Sequence, residues 1–127
     1  MPHLIIQYSK NLDTQVDMQS LCEQLRGKMI ETGIFPLGGI RVRAFAADTC
    51  AIADAHPDNA FADMMLRIGA GRSLADKKNA GDLLVETARH FFAAQLDESH
   101  FALSFEIVEI DPDLSWKINS IHPRLKQ

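Results

Sequence analysis

The second residue of the chain, Pro2, would carry a free secondary amine if the initiator methionine Met1 were removed. Small second residues permit that removal. An α-amino group has an ordinary pKa of about 8, and burial or neighbouring cations lower it. A base with a pKa near the working pH is what proton abstraction requires. Pro2 is therefore a candidate general base, and the alternative is that it merely opens a strand.

Two arginines, Arg41 and Arg43, lie two residues apart in the segment GIRVR. On a strand they project from the same face, where their like charges favour a nearby anion. The planar guanidinium matches a carboxylate with two parallel hydrogen bonds, so the pair predicts a carboxylate clamp. The alternative is that acidic side chains of the chain neutralise them, for example Asp48, Asp54 or Glu106.

The segment GAGRS, residues 69–73, combines a glycine turn with Arg72 and with Ser73 at the start of a predicted helix. The free N–H groups and the dipole of a helix N-terminus favour an anion. The segment matches neither the dinucleotide-binding GxGxxG pattern nor the Walker phosphate loop, which argues against nucleotide binding. The alternative is an ordinary strand-to-helix turn.

The elements that must position these residues follow the order strand, helix, strand twice. Apolar residues recur at helical spacing from Met18 to Met29, and Gly33 predicts the end of that helix. Ser73 and Asp76 form a capping box for the second helix. The predicted strands are residues 2–8, 40–46, 60–68 and 101–110.

The predicted fold class is α+β, with two β-α-β units (about residues 2–58 and 59–127) in one domain. Each unit supplies a parallel strand pair, and together they form one four-stranded sheet with two helices on one face. Segments such as 4–6 and 101–110 suggest strands that are apolar on both faces, which are usually buried on both. We therefore expect other copies of the chain to cover the second face. The tail, residues 113–127, shows no clear period.

The bulk properties exclude several functional classes. A chain of 127 residues is expected to form a single soluble domain, and its formal charge of -4 argues weakly against a sequence-independent nucleic-acid binder. No apolar run approaches the roughly 18 residues of a membrane span, and the start lacks signal-peptide features, so a cytoplasmic location is expected. Cys22 and Cys50 are expected to be unpaired. None of the five histidines has a metal-type partner at short spacing, so no metal site is expected.

Pro2 at the start of a strand, the arginines of GIRVR and the Gly-Arg-Ser turn together resemble the tautomerase superfamily. Its short members carry proline at the mature start, GRS before the helix and an arginine on the following strand. The chain resembles two such units fused, with Pro2 in the first half and the GRS turn in the second. Within the superfamily, the segments GIFPLGGIRVR, GAGRSL and ALSFEI are similar to the 5-carboxymethyl-2-hydroxymuconate isomerases of bacterial homoprotocatechuate degradation.

This resemblance implies a cofactor-free keto-enol tautomerase that assembles as a homotrimer, with three sheets forming a barrel wrapped by six helices. Its substrate would be a small anionic dicarboxylate or tricarboxylate. Pro2 would act as the base, and Arg41 and Arg72 would bind carboxylates and stabilise developing charge. The candidate substrate-binding residues are Arg43, His3, Tyr8 and Ser73.

Three alternatives remain open at this level. The chain could act on a different enol or acid within the same fold. It could be a dehalogenase or hydratase in which the proline is a protonated acid. It could also be a trimer that binds a ligand without catalysis, because a fold alone does not determine a function.

Overall fold

A computed structural model describes residues 1–125 of the chain. It contains four strands and four helices, with short 3-10 turns at Lys10–Thr14, Leu37–Gly39 and Pro112–Leu114. In chain order the elements are β1 (His3–Ser9), α1 (Met18–Thr32), β2 (Arg41–Ala47), β3 (Ala60–Gly69), α2 (Leu74–Phe91), α3 (Ala93–Asp97), β4 (Phe101–Ile110) and α4 (Ile121–Leu125).

The four strands form one mixed sheet in the order β2-β1-β3-β4. The outer pairs β1–β2 and β3–β4 are parallel, as a strand-helix-strand order requires, and the central pair β1–β3 is antiparallel. The predicted fold class is confirmed. The register places His3 of β1 between Arg41 of β2 and Arg67 of β3.

Local chemistry predicts where both long helices begin and where α1 ends. The Asp17 carboxylate accepts hydrogen bonds from the backbone N–H groups of residues 19 and 20, which caps α1. Gly33 ends α1 with a φ of 72°, a left-handed conformation that glycine adopts without steric cost. Ser73 Oγ accepts from the Asp76 N–H at 3.1 Å and caps α2. The short helix α3 was not predicted.

The core lies between the sheet and the two long helices. β1 contributes Leu4 and Ile6 and β3 contributes Met64 and Leu66, all with no exposed surface. They alternate with less buried residues, as expected for strands that contact helices on one face only. The helices bury apolar residues against them, namely Leu21, Leu25 and Met29 of α1 and Ala80, Leu84 and Ala88 of α2.

The opposite face of the sheet carries no helix, and we call it the open face. The expectation that the strands are apolar on both faces is wrong for much of it, because Gln7, Asp63, Arg67 and Glu106 are all exposed there. Apolar residues such as Ile5 lie between them. Buried and exposed side chains therefore alternate along these strands more strictly than the runs of apolar residues in the sequence suggest, because residues at consecutive positions point to opposite faces of the sheet.

The C-terminal tail returns to the start of β1. At the start of α4, Asn119 Oδ1 accepts a hydrogen bond from the Ile121 N–H at 2.7 Å. This helix lies against the Leu37–Gly39 turn. A Cβ atom added to Gly38 would lie 3.1 Å from the His122 Cα, so glycine permits this close approach. Among residues 1–125, no helix is both long and apolar enough to cross a membrane. Residues 126 and 127, which the predicted second unit includes, lie outside the described residues.

Candidate active site

The chain start lies at one end of the inner strand β1, where three separate segments meet. The Pro2 side chain is fully buried, and its carbonyl accepts a hydrogen bond from the Arg41 N–H at 3.2 Å. A Cβ atom added to Gly39 would lie 3.3 Å from Pro2 Cδ. The glycine pair of the Leu37–Gly39 turn thus packs between the chain start and α4.

Three cations lie near the N-terminal amine, which in the described chain is that of Met1. Its pKa is lowered by burial, which is the largest cause, then by the charge of Lys117 and a hydrogen bond with that side chain, and then by the charges of Arg72 and Arg41. Two of these cations, Arg41 and Arg72, are the predicted catalytic arginines. The structure therefore brings the chain start, the GIRVR strand and the GRS turn together.

Arg72 is held rigidly at this site. Its Nε and Nη2 atoms donate to the Ile34 carbonyl at 3.1 and 3.0 Å, and Nη1 donates to the Gly69 carbonyl at 3.2 Å. The guanidinium carbon lies 5.0 Å from the centroid of the Phe35 ring. A guanidinium has five N–H donors, so one donor on Nη1 and one on Nη2 remain for an anion.

Arg41 points at the Met1 side chain. Its Nη1 donates to the Gly39 carbonyl at 3.1 Å and contacts Met1 Sδ at 3.2 Å. Asn119 Nδ2 also contacts Met1 Sδ at 3.2 Å, while it donates to the Gly38 carbonyl at 2.9 Å. Met1 thus occupies a position to which two hydrogen-bond donors point, and a thioether is only a weak acceptor.

Lys117 and Asn119 are site residues that the sequence analysis missed. Both come from the tail segment 113–120, for which no period was recognised. In the structure, Leu114, Trp116 and Ile118 project outward with 72%, 84% and 100% exposure. Every second residue from Leu114 to Ile118 is apolar. This alternation could have indicated that the intervening polar residues, among them Lys117, share the opposite face of an extended segment.

His3 and Arg43 lie close to each other but on the open face of the sheet. Arg43 Nη1 and His3 Nδ1 are 3.1 Å apart. The Pro2 side chain is packed in the interior, with Leu4 following it on the same side of β1. Arg41 is in register with His3 and projects from the same face. Burial and the charges of Arg67, Arg43, Arg41 and the N-terminus lower the pKa of His3 to about 4, so these two candidate substrate-binding residues lie next to the site at the chain start.

The remaining two candidates have local roles in the structure. Tyr8 is buried at the far end of β1, and its hydroxyl donates to Asp13 Oδ1 at 2.6 Å. Burial and this hydrogen bond raise the pKa of Tyr8 to about 12. Tyr8 is six positions along the chain from Pro2, or roughly 20 Å in a strand, so the structure does not bring it to the N-terminus. Ser73 is next to Arg72 and uses its hydroxyl to cap α2.

Two of the five histidines meet a carboxylate in space, which their sequence spacing did not indicate. The rings of His56 and His100 stack with centroids 4.2 Å apart, and Asp58 lies beside them. His56 Nδ1 accepts from the Asp58 N–H at 3.1 Å, and His100 Nδ1 lies 3.3 Å from Asn59 Oδ1. One ring nitrogen of each histidine is thus in contact with the residues that directly precede β3.

The site at the chain start combines an amine of lowered pKa with fixed donors for anions. Among residues 1–125, no carboxylate lies within 4 Å of the Arg41 or Arg72 guanidinium, so an acid of the chain does not neutralise them there. Asp48, one acid considered for that role, lies 3.6 Å from Lys10 instead. This arrangement can abstract a proton and bind a carboxylate next to it.

Comparisons with known proteins agree with this geometry. A sequence profile of the family described as 5-carboxymethyl-2-hydroxymuconate isomerase matches residues 2–125. The 5-carboxymethyl-2-hydroxymuconate Delta-isomerase of Escherichia coli is 42% identical over 126 residues, covering 99% of this chain and 100% of that protein. The chain belongs to the 5-carboxymethyl-2-hydroxymuconate isomerase family. As a member of this family it is an enzyme of the isomerase class, with the tautomerase fold.

Solved structures of the family have the same fold. The crystal structure of a 5-carboxymethyl-2-hydroxymuconate isomerase from Deinococcus radiodurans R1 superposes with a TM-score of 0.93 at 39% identity, covering 99% of this chain and 95% of that one. A second structure, of a 5-carboxymethyl-2-hydroxymuconate delta-isomerase, gives 0.91 at 34% identity and covers 100% and 94%. A structure described as a fused 4-OT symmetric trimer (0.64 at 18% identity, covering 89% and 91%) shares the fold alone.

Proposed function

We propose that the protein is a cofactor-independent 5-carboxymethyl-2-hydroxymuconate Δ-isomerase of bacterial homoprotocatechuate degradation, with the amine of Pro2 as its base. The observation that supports this proposal is at the chain start, where burial and three cations lower the pKa of the Met1 amine. Removal of Met1 would transfer this environment to the Pro2 nitrogen, one residue along the chain. A free amine near neutral pH then becomes available for proton abstraction.

The proposed reaction moves one proton and conserves every atom of the substrate. Pro2, as the free base, takes the proton of the 2-hydroxyl group. The O–H electron pair becomes the carbonyl π bond, the C2=C3 double bond moves to C3=C4, and the former C4=C5 electrons take a proton from Pro2 at C5. The 2-hydroxy-2,4-dienoate thus becomes a 2-oxo-3-enoate, and Pro2 returns to its free-base form.

The arginines would bind the substrate and stabilise charge at its oxygens. Arg72 has two unused donors and a fixed orientation, which suits a carboxylate or the 2-oxo oxygen. Arg41 and Asn119 donate toward the position of the Met1 side chain, which would be free in the processed enzyme. A substrate with several carboxylates also explains why a protein of formal charge -4 concentrates cations at one site.

We further propose that the enzyme is a homotrimer built from two β-α-β units per chain, residues 2–58 and 59–127. The outer strands β2 and β4 each have one unpaired edge within the chain, and such edges invite pairing with another copy. Phe45 on β2 and Trp116 and Ile118 on the tail are more than half exposed. A solved structure with this fold is described as a trimer. Sedimentation at low concentration tests this proposal, since a stable and active monomer would contradict it.

The direct test of the function is turnover of 5-carboxymethyl-2-hydroxymuconate, measured as the loss of dienol absorbance, in the wild type and in Pro2→Ala. We expect the variant to lose a factor of about 10² or more, because a positioned base contributes about that much. Some activity should remain, since alanine leaves a primary amine. Pro57→Ala, in an exposed loop, is the matched control and should turn over normally.

Two results would contradict the proposal. Absence of turnover by a folded wild-type protein that has lost Met1 would exclude this substrate. Turnover by Pro2→Ala within a factor of a few of the wild type would show that another group is the base. The intact mass measured before the assay verifies the processing, and quantitative retention of Met1 in a fully active enzyme would also overturn the mechanism.

A further inference from the structure

The loop before β3 and the residue before β4 bring three metal-ligating side chains together. His56, Asp58 and His100 each offer one ligand atom, and these three atoms lie within 4.8 Å of one another. The two imidazole rings stack with their centroids 4.2 Å apart and their planes inclined by 24°. We call these three residues the His-Asp cluster. His56 and Asp58 belong to the loop and His100 directly precedes β4, so the cluster joins two segments that are distant in sequence.

The hydrogen bond of His100 leaves its other ring nitrogen available for a cation. Asn59 Nδ2 donates to the Ile52 carbonyl at 3.1 Å and to Asp54 Oδ1 at 2.8 Å, which fixes the orientation of the amide. Asn59 Oδ1 can only accept, so the neutral His100 ring carries its proton on Nδ1, which lies 3.3 Å from this oxygen. The lone pair is then on Nε2. Histidines that bind metal ions usually donate their second ring N–H to an oxygen in this way.

Asp58 supplies a negative charge that the side chains around it do not neutralise. Among residues 1–125, no lysine or arginine nitrogen lies within 4 Å of its carboxylate. Asp58 and His100 also line an open groove together with Glu98, and none of the described residues that line this groove is a lysine or an arginine. Two acids without a basic partner favour a cation nearby. The surroundings of the His-Asp cluster therefore suit a positive ion.

The cluster needs only small side-chain movements to close around an ion. Ligands about 2.0–2.1 Å from a tetrahedral Zn²⁺ lie about 3.4 Å apart, so atoms up to 4.8 Å apart must approach by up to about 1.4 Å. His56 and Asp58 are exposed, so their side chains can rotate without disturbing the core. His56 Nδ1 accepts from the Asp58 N–H at 3.1 Å. Coordination removes this acceptor, because a metal takes the lone pair of Nδ1 or, if it binds Nε2, leaves the ring proton on Nδ1.

We propose that His56, Asp58 and His100 form a binding site for a divalent transition-metal ion, of which Zn²⁺ suits the donor set best. Two imidazole nitrogens and one carboxylate oxygen are ligands that zinc accepts, and solvent water would complete the coordination at this exposed position. Mg²⁺ prefers oxygen ligands and is expected to bind far more weakly. A bound ion would fasten the loop between β2 and β3 to the start of β4.

This site lies at the opposite end of the sheet from the proposed catalytic amine. The His-Asp cluster is located where β3 and β4 begin. Near that end, Ala62 of β3 is in register with Tyr8 of β1, and Tyr8 lies roughly 20 Å of strand from Pro2. Neither histidine of the cluster contributes to the lowered pKa of the Met1 amine. The proposal therefore does not depend on the function proposed for Pro2.

The test is a calorimetric titration of the intact protein with ZnCl₂ at pH 7, in a buffer that does not bind zinc. We expect saturable binding of one Zn²⁺ per chain. His56→Gln and Asp58→Asn should each raise Kd at least about tenfold, because even the loss of a residue that only orients a ligand costs about 10–100-fold in metal affinity. His90→Gln, which changes an exposed histidine on α2, is the control and should leave Kd unchanged.

NMR of the same protein locates the ion. Zn²⁺ should shift the ring signals of His56 and His100 and the backbone N–H signal of Asp58, which loses its acceptor, and should leave the His3 ring unchanged. Turnover by His56→Gln should equal that of the wild type, and a lowered kcat/KM would overturn the proposal by linking the cluster to catalysis. So would wild-type zinc affinity in either cluster variant, a shift confined to His3, or no saturable binding up to about 1 mM Zn²⁺.

Discussion

The Arg72 guanidinium donates two hydrogen bonds to the Ile34 carbonyl, from Nε at 3.1 Å and from Nη2 at 3.0 Å. Arg72 belongs to the turn before α2, whereas Ile34 follows α1 in the first half of the chain. The turn of one β-α-β unit is thus oriented by the loop of the other. A single site at the chain start therefore requires both halves, although each contains only some of its residues.

The bidentate contact makes Arg72 sensitive even to a conservative change. Arg72→Lys keeps the charge but cannot form the fork, so we expect kcat/KM to fall by about tenfold or more. Arg72→Ala should cost about a further tenfold and also lower the melting temperature, because the Ile34 carbonyl loses its donors. Steady-state kinetics and thermal unfolding of both variants measure this. Wild-type kinetics in Arg72→Lys would show that the arginine only supports the loop.

Lys117 should set the pH dependence of the enzyme. Its charge and its hydrogen bond lower the pKa of the Met1 amine. In the proposed enzyme the Pro2 amine takes the place of this group and must be unprotonated to act as a base. Lys117→Gln should therefore raise the pKa of the Pro2 amine and move the acid limb of the kcat/KM profile to higher pH. Lys78→Gln, on the exposed face of α2, is the control with the same charge change. An acid limb at the same pH in Lys117→Gln and wild type would exclude this role.

Gly38 should contribute to stability because the C-terminal tail packs directly against it. A Cβ atom there would lie 2.7 Å from His122 Nδ1 and 3.1 Å from the His122 backbone, so Gly38→Ala should displace α4. Overpacking of this kind costs about 1–3 kcal/mol of unfolding free energy. Gly27→Ala, inside α1 with no atom within 4 Å of the added Cβ, should instead stabilise by about 0.5–1 kcal/mol. Denaturant unfolding compares the two, and equal effects would contradict the tail packing.

Tyr8 should contribute to stability and not to catalysis. Its hydroxyl donates to Asp13 at the end of β1 that is remote from Pro2. Tyr8→Phe removes this partly buried hydrogen bond and should cost about 0.5–1.5 kcal/mol. Turnover at saturating substrate should be unchanged. A large loss of kcat with normal stability would place Tyr8 in the site, as first expected from the sequence.

The sequence predicted the elements well because their signals are local. Gly33 and Ser73 mark helix ends through their own backbone and side-chain chemistry, and the four strands were predicted to within one or two residues. The pairing of Arg41 and Arg72 with the chain start came from short motifs that resemble a known superfamily. These features could be predicted because they depend only on residues that are close in sequence, or on motifs that are known from other proteins.

The missed features depend on tertiary contacts that no local pattern encodes. Lys117 and Asn119 reach the N-terminus because the tail folds back and α4 packs on Gly38. The open-face position of Arg67 depends on the strand order and register, which determine its neighbours. Similarly, His56 and His100 meet only because β4 begins beside the loop that precedes β3.

The central claim is that the Pro2 nitrogen is a free amine that acts as the base. The chain has five prolines, and in the processed enzyme only Pro2 would have a nitrogen that titrates, because the others are amides. NMR of protein labelled with ¹⁵N-proline measures the pKa of that nitrogen directly. We expect one titrating signal, with a pKa that is lowered by its surroundings and equals the pKa of the acid limb of kcat/KM. Absence of a titrating proline nitrogen in active enzyme, or a pKa that differs clearly from the kinetic one, would contradict the account.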